Sequence, residues 1–213
     1  MSLTVAIDPQ HPVLDAGLFV CRLADGLGRT PTPDPISSLI AVEGAPMTSS
    51  DEVRTRVRDL LRHGGFKPAG RSKPASEYLT GAIAEGRFPR INALVDACNV
   101  VSLHSGLPIS LVDLDLVERP LSIAIAPAGT SYVFNPSGQV IDASGLVCLY
   151  DAQGPTGTPV KDAQRTKTQD ETRNAIVVVW GTRALPGRTA QATAWYRALC
   201  ATIPGAITED VET

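Results

Sequence analysis

The chain has 213 residues, 43% of them hydrophobic and 19% charged, so it can bury a core without structural metal or disulfides. Its net charge is −3 and only 5% of its residues are aromatic, which argues against a general nucleic-acid coat and extensive base stacking. No apolar run approaches the ~18 residues of a membrane span, so we expect no membrane partner.

Patterns in the first half predict two strands followed by helices. The predicted elements, in chain order, are strands over 3–7 and 17–23, a loop over 26–34, a helix from Ser49 to Gly64, a helix between Pro74 and Gly86, and a helix from Asn92 to Gly106. The last of these ends where Gly106 precedes Pro108, a typical C-terminal signal.

The second half switches to a strand pattern. The predicted elements are strands over 121–125, 131–134 and 145–149, a Gly/Pro-rich exposed insertion over 152–161, a buried strand over 174–180 and a helix over 189–199. We expect the acidic tail after Glu209 to fray. No repeat or long linker interrupts the pattern, which favours a single mixed α+β domain over residues 1–213.

The third predicted helix carries a polar stripe. Asn92, Asp96, Asn99 and Ser102 lie on one side of a 3.6-residue wheel, and apolar residues cover the other side. Asn92 is also a favoured helix cap, and Asp96 can brace a loop through a buried hydrogen bond. Asn99 is unfavourable in a helix interior, which favours a functional reading for it.

Basic residues concentrate in the segment 51–90. It holds nine Lys or Arg against five acidic residues, a local charge of +4 that leaves −7 on the rest of the chain. A second basic cluster follows the Gly/Pro-rich stretch and contains Lys161, Arg165, Lys167 and Arg173. Such clusters are either solvated faces or a surface that follows nucleic-acid phosphates.

The remaining chemical signals exclude several classes of site. The chain has no phosphate loop, dinucleotide fingerprint, nucleophile elbow or zinc-protease motif, and its histidines are not spaced as ligands. Its four cysteines lie 50 or more residues apart. We therefore expect free buried thiols in a cytoplasmic protein, with no metal and no cofactor.

One block of sequence identifies a family resemblance. Residues 88–115 resemble the editing module, the B3/B4 domain, of the phenylalanyl-tRNA synthetase β subunit. The matching residues are Arg90-Ile91-Asn92, Val95-Asp96, Asn99, Gly106, Pro108 and Asp113-Leu114-Asp115. Segments 165–174 and 71–77 resemble free-standing relatives of that module, and the best-matched core covers residues 50–182.

The resemblance implies a layered α+β domain whose pocket accepts the aminoacyl-adenosine end of a mischarged tRNA and hydrolyses its ester. It implies an aminoacyl-tRNA hydrolase and not a complete aminoacyl-tRNA synthetase, because the chain has no segment resembling an aminoacylation core. The candidate catalytic residues are Asn99, Ser110 and Asp162. The candidate substrate-binding residues are Asn92, Ser102, Gln164 and Thr166. The candidate tRNA-binding residues are Arg71, Lys73, Arg90, Arg165 and Lys167. No DNA partner is expected.

Two departures from the synthetase module leave alternatives open. Ser110 stands where the module carries a histidine, and Gln164 stands where it carries a glutamate. A deacylase lacking these groups would rely on water positioning and on Asn99. The alternatives are a non-catalytic module that binds an amino acid or a tRNA end, and a hydrolase of small amino-acid esters.

Overall fold

The structure, a computed structural model, describes residues 3–8, 11–40 and 44–213. Its strands are β1 Leu3–Ile7, β2 Leu14–Arg22, β3 Ile109–Asp113, β4 Leu121–Ile125, β5 Ser131–Val133, β6 Val140–Asp142, β7 Val147–Asp151, β8 Gly154–Gly157, β9 Asn174–Thr182 and β10 Ile207–Glu212. Its α-helices are α1 Asp34–Ser37, α2 Asp51–Arg62, α3 Ala75–Ala84, α4 Ala93–Ser105 and α5 Arg188–Cys200. Short 3₁₀ turns cover Leu27–Arg29, Ser38–Ile40, Gly70–Ser72 and Gln164–Thr166.

An eight-stranded mixed sheet with strand order β3-β9-β2-β10-β1-β4-β7-β8 organises the described residues. β1 runs parallel to both of its neighbours, and the other adjacent strands are antiparallel. The sheet nearly closes on itself, because a Cβ at Gly157 of β8 would lie 3.1 Å from the Cβ of Ser110 on β3. A separate hairpin of β5 and β6 lies outside it. The predicted α+β class is confirmed.

The central strand β9 and the helix α4 form where the sequence predicts them. The run Ala175–Trp180 is fully buried between β2 and β3, as expected of a β-branched apolar strand. Asn92 caps α4 by accepting a hydrogen bond from the Val95 N–H at 3.0 Å. Gly106 ends the helix with a φ of +71°, a left-handed conformation that favours glycine. These caps fix where α4 begins and ends.

The helices pack against the sheet and against each other. α5 approaches β2 and β9 so closely that a Cβ at Gly17 or Gly181 would meet the hydroxyls of Thr193 and Thr189. α4 lies beside α5 and α3, and the Tyr196 hydroxyl donates to the Leu94 carbonyl at 2.9 Å. All four cysteines are free and buried, as predicted. Among the described residues, no helix is both long and apolar enough for a membrane crossing.

The prediction that the acidic tail frays is wrong. Residues Ile207–Glu212 form β10, which pairs with β2 on one side and β1 on the other. Its charged residues have partners on neighbouring elements: Glu209 contacts Arg22 at 2.7 Å and Asp210 contacts Arg197 at 2.5 Å. A strand whose outward side chains are acidic resembles a solvated tail in sequence, although its backbone is inside the sheet.

The predicted exposed insertion over 152–161 is also wrong. Only Ala152 and Gln153 are exposed, whereas 155–160 are buried. The glycines and prolines of this stretch form the edge strand β8 and a tight turn, and β8 packs closely against β3 because Gly157 has no side chain. The segment is therefore part of the wall that supports the candidate site.

Candidate functional site

A mainly apolar cavity of about 240 Å³ opens between α3, α4, the start of β3 and the turn after β8. Its lining residues are Ala75, Tyr78, Leu79, Cys98, Asn99, Ser102, Ile109, Val160 and Lys161. We call it the Asn99 cavity. Its lining side chains include aliphatic groups, one aromatic ring, one thiol, one amide, two hydroxyls and one ammonium group, a mixture typical of small-molecule sites.

Asn99 is the polar group of this cavity whose hydrogen-bonding capacity is least used. It is half-buried on α4, and its carboxamide has no hydrogen-bond partner among the described residues. Ser102, one turn further along, is buried and donates to the Leu107 carbonyl at 2.8 Å. Its hydroxyl keeps lone pairs that can accept. The structure therefore brings Asn99 and Ser102 to one cavity, as the helical spacing predicts.

The other two members of the polar stripe have structural roles. The Asn92 side chain caps α4. Asp96 is buried, and its carboxylate accepts from the Ile91 N–H at 2.8 Å and from the Thr32 hydroxyl at 2.7 Å. Asp96 thus fastens two loops to the helix. Asn92, predicted to bind substrate, does not line the Asn99 cavity, and its amide oxygen is engaged in the cap.

Ser110 lies behind the cavity wall rather than on it. It is fully buried, its hydroxyl donates to the Thr158 carbonyl at 3.0 Å, and it accepts from the Trp180 indole N–H at 2.8 Å. These bonds join β3, β9 and the turn after β8. The neighbouring Ile109 lines the cavity instead, because successive strand residues point to opposite faces. Ser110, predicted as a catalytic residue, therefore does not line the Asn99 cavity.

Asp162 also supports the wall from behind. Its carboxylate accepts from the Thr158 N–H at 3.0 Å, which closes the turn 158–162, and from the Leu111 N–H at 3.1 Å, which attaches that turn to β3. Burial of the carboxylate raises the pKa of Asp162 to about 6, and the hydrogen bonds it accepts oppose that rise. Asp162 does not line the cavity; it holds in place the turn that carries Lys161.

The segment after this turn contains three further candidates. The Arg165 guanidinium makes a two-pronged ion pair with the fully buried Asp151 carboxylate, at 2.6 and 2.7 Å, and also donates to the Gly154 carbonyl. These bonds hold the guanidinium against β7 and β8, and about a third of the Arg165 side chain stays exposed. Thr166 is buried with an unpartnered hydroxyl, and Gln164 is half-buried in the same 3₁₀ turn. Neither lines the Asn99 cavity.

Lys161 joins the Asn99 cavity to a second one. Its ammonium lies 4.2 Å from the centre of the Phe134 ring and 5.4 Å from that of Tyr78. The second cavity, about 340 Å³, lies between the 3₁₀ turn Gly70–Ser72 and the β5–β6 hairpin. We call it the Phe134 groove. Its lining residues are Arg71, Ser72, Phe134, Gln139, Val140, Ile141, Asp142 and Lys161.

The predicted tRNA-binding residues are spread over the surface around these cavities. Arg71 is exposed and lines the Phe134 groove, and Lys73 is exposed next to it. Lys167 is half-buried, and its ammonium donates to the Phe134 carbonyl. Arg90 is exposed and donates to the Ser37 hydroxyl at 3.0 Å. Arg71, Lys161 and Lys167 thus form one basic cluster around Phe134.

The sequence predicts no site role for Tyr78 or Phe134, and it singles out Lys161 only as a member of a basic cluster. Lys161 stands in a Gly/Pro-rich stretch that resembles a loop, and its two aromatic neighbours come from a helix and a hairpin elsewhere in the chain. No local spacing signals such a contact. The nearest clue is the basic cluster that begins at Lys161.

Comparison with known proteins identifies a family and solved structures of similar fold. The B3/4 domain family matches residues 69–191, more than half of the chain. An N-terminal fragment of the phenylalanyl-tRNA synthetase β subunit from Pyrococcus horikoshii is similar in fold, with a TM-score of 0.53 and 12% sequence identity. The similarity covers 99% of this chain and 51% of the fragment, so this chain spans about half of the fragment's length.

A further solved structure, the C-terminal domain of TILS, covers 36% of this chain and 71% of its own at 15% identity. Its TM-score of 0.32 is too low to bear on the fold. No curated protein sequence matches the chain. The matched region contains α3, α4 and the Asn99 cavity, and on that match the chain belongs to the B3/4 domain family.

Proposed function

We propose that this chain acts on tRNA as an aminoacyl-tRNA deacylase, hydrolysing the ester of a mischarged tRNA. The observation that carries the proposal is the open carboxamide of Asn99 in a mainly apolar cavity. Membership of the B3/4 family and a fold similar to a phenylalanyl-tRNA synthetase β fragment support a tRNA-related role. Four buried free thiols are consistent with a cytoplasmic setting.

The proposed chemistry needs little from the protein. An aminoacyl ester is already activated, so a positioned water and a donor for the developing oxyanion suffice. The Asn99 amide N–H donates to that oxygen or its carbonyl accepts from the water, and the neighbouring ribose hydroxyl of the tRNA assists. Leu79, Ile109 and Val160 would contact the side chain of the amino acid.

The basic groups around the cavities would hold the RNA. Arg71 and Lys73 are exposed beside the Phe134 groove, and Arg90 is exposed at the entry to α4. Phosphate contacts of this kind make affinity fall steeply with salt. Charge reversal at Arg71 should weaken tRNA binding and flatten its salt dependence, as measured by filter binding over a salt series. Binding that is insensitive to both changes would contradict this interface.

The direct test is deacylation of a panel of mischarged tRNAs by the wild type and by Asn99→Ala. We expect the variant to be slower by about 10-fold or more, the scale of one lost positioning or oxyanion contact. Asn92→Ser is the matched control, because serine preserves the helix cap while removing an amide that lies outside the cavity. Unchanged turnover in Asn99→Ala, or no turnover of any tRNA by the wild type, would refute the proposal.

A second candidate is a non-catalytic module that binds an amino acid or a tRNA end. It is favoured by the absence, among the described residues lining the Asn99 cavity, of any carboxylate or histidine that would serve as a general base. Ser110 and Asp162 are both engaged behind the wall. Saturable binding of charged tRNA without release of amino acid would support the binding module. Hydrolysis of a small amino-acid ester, in a parallel assay in which no charged tRNA is hydrolysed, would instead identify a small-ester hydrolase.

A further inference from the structure

Lys161 occupies the boundary between the Asn99 cavity and the Phe134 groove and lines both. Its ammonium is held between the Phe134 and Tyr78 rings, an arrangement that fixes a cation through the negative face of each ring. The turn that carries it is rigid. The Thr158 hydroxyl donates to the Lys161 carbonyl at 2.8 Å, and the Tyr132 hydroxyl contacts the same carbonyl at 2.5 Å.

This ammonium has no carboxylate partner among the described residues. Asp162 is adjacent in sequence, but its oxygens accept from the Thr158 and Leu111 N–H groups. Asp142 lines the Phe134 groove and accepts from the Ser144 N–H at 2.9 Å. Both oxygens of Asp162 are thus used by backbone groups, whereas the exposed Asp142 accepts through one oxygen only.

The other charges near Lys161 are positive. Arg71 lines the same groove, and Lys167 lies 5.9 Å from the Phe134 ring centre, on the ring that Lys161 also contacts. Burial, together with the charge of Arg71, lowers the pKa of Lys161. Burial also lowers the pKa of Lys167; the charge of Asp162 opposes that shift and the charge of Lys161 adds to it. Like charges held together in a partly buried place cost free energy unless an anion neutralises them.

We propose that Lys161 binds the anionic group, a carboxylate or a phosphate, of a ligand whose apolar part lies in the Asn99 cavity. The inference rests on the proposed function only in taking that cavity as the ligand site. The aliphatic walls Leu79, Ile109 and Val160 suit a branched or aromatic group, and the ammonium suits an anion at the mouth. A ligand with an unmasked cation at that position would be repelled.

Two pairs of small molecules test this without tRNA and without turnover. The first pair is N-acetyl-leucine and its neutral amide, and the second is adenosine 5′-monophosphate and adenosine. Binding of each to the full chain is measured by NMR titration for the wild type, Lys161→Met and Lys161→Gln. The matched control is Lys67→Met, because Lys67 is exposed and lines neither cavity.

We expect the wild type to bind the anion of at least one pair about 10-fold more tightly than its neutral partner, as one charge-assisted hydrogen bond would give. Both Lys161 variants should lose this preference and Lys67→Met should keep it. Preference in the leucine pair identifies a carboxylate, and preference in the adenosine pair identifies a phosphate.

Equal binding of anion and neutral partner in both pairs, or a preference that survives in both Lys161 variants, would overturn the inference. Its outcome is separable from that of the deacylase proposal. Anion preference in a chain that hydrolyses no mischarged tRNA leaves the inference standing and removes the deacylase. Hydrolysis of a mischarged tRNA without anion preference would leave the deacylase proposal standing and remove the inference about Lys161.

Discussion

Asn99 and Ser110 lie on neighbouring elements beside the same cavity, yet their side chains are in opposite situations. Asn99 faces the cavity with a carboxamide that no described residue engages. Ser110 is fully buried and bonded to both Thr158 and Trp180. A polar group with unused hydrogen-bonding capacity can act on a ligand, whereas one whose bonds are satisfied holds the fold. In the same way, the ammonium of Lys161 has no carboxylate partner among the described residues, whereas Asp162 and Arg165 are bonded within the protein.

The largest effect is expected at Arg165, whose guanidinium is bonded to Asp151 and therefore has a structural role. Arg165→Met leaves the Asp151 carboxylate fully buried without its cation, so we expect a loss of about 3 kcal/mol in the free energy of unfolding. Denaturant unfolding measures it, with Arg173→Met as the exposed control. Wild-type stability combined with weaker tRNA binding would return Arg165 to the RNA interface.

Ser110→Ala tests the residue whose hydrogen bonds are both made within the protein. It leaves the Trp180 N–H without its acceptor and the Thr158 carbonyl without its donor. We expect a stability loss of about 1–3 kcal/mol, the cost of buried groups left unpaired. Deacylation per folded molecule should change little. A large loss of turnover at wild-type stability would contradict the structural role.

The titration of Asp162 should change the free energy of unfolding with pH by a smaller amount and in a defined direction. The pKa of Asp162 is about 6 in the folded chain, above its usual 3.8, so folding favours the protonated carboxyl. Its contribution to stability is therefore greatest at low pH and falls as pH rises from about 4 to about 6. The difference in unfolding free energy between wild type and Asp162→Asn should follow this fall. A difference that rises over that range would show the opposite shift.

Asn99→Ala should have the smallest effect on stability. Its carboxamide has no partner to lose, so the free energy of unfolding should stay within about 0.5 kcal/mol of the wild type. Thermal unfolding checks this on the protein used for the deacylation assay. A loss as large as that of Ser110→Ala would mean that Asn99 belongs to a structural network.

The parts of the fold that the sequence predicted well are those with local signals. α4 begins after a capping asparagine and ends at a left-handed glycine, and β9 is a continuous apolar run. The bounds of both elements follow from neighbouring residues alone. Local capping and hydrophobic pattern were sufficient here because nothing distant competes with them.

The failures share a different cause. β10 is defined by pairing with the remote strands β1 and β2. β8 pairs with the adjacent β7, and its burial depends on packing against the distant β3. Their own residues are acidic in β10 and rich in glycine and proline in β8. In the site, helical spacing placed Asn99 and Ser102 on one cavity, but it could not show that Asn92 and Asp96 were already engaged. Lys161 was missed because its ring contacts join three separate segments.

β10 also has a consequence for how the chain is assembled. Leu3 pairs with Val211, so the first and last described strands are neighbours, and β10 alone joins β3-β9-β2 to β1-β4-β7-β8. A nascent chain ending before residue 207 lacks the strand that hydrogen-bonds the two half-sheets, so β2 and β1 each have an unpaired edge. Such long-range closure slows folding and delays it until synthesis has passed β10. A synthetic peptide of residues 205–213 added to a chain truncated at 204 would then supply the missing strand β10 between β1 and β2.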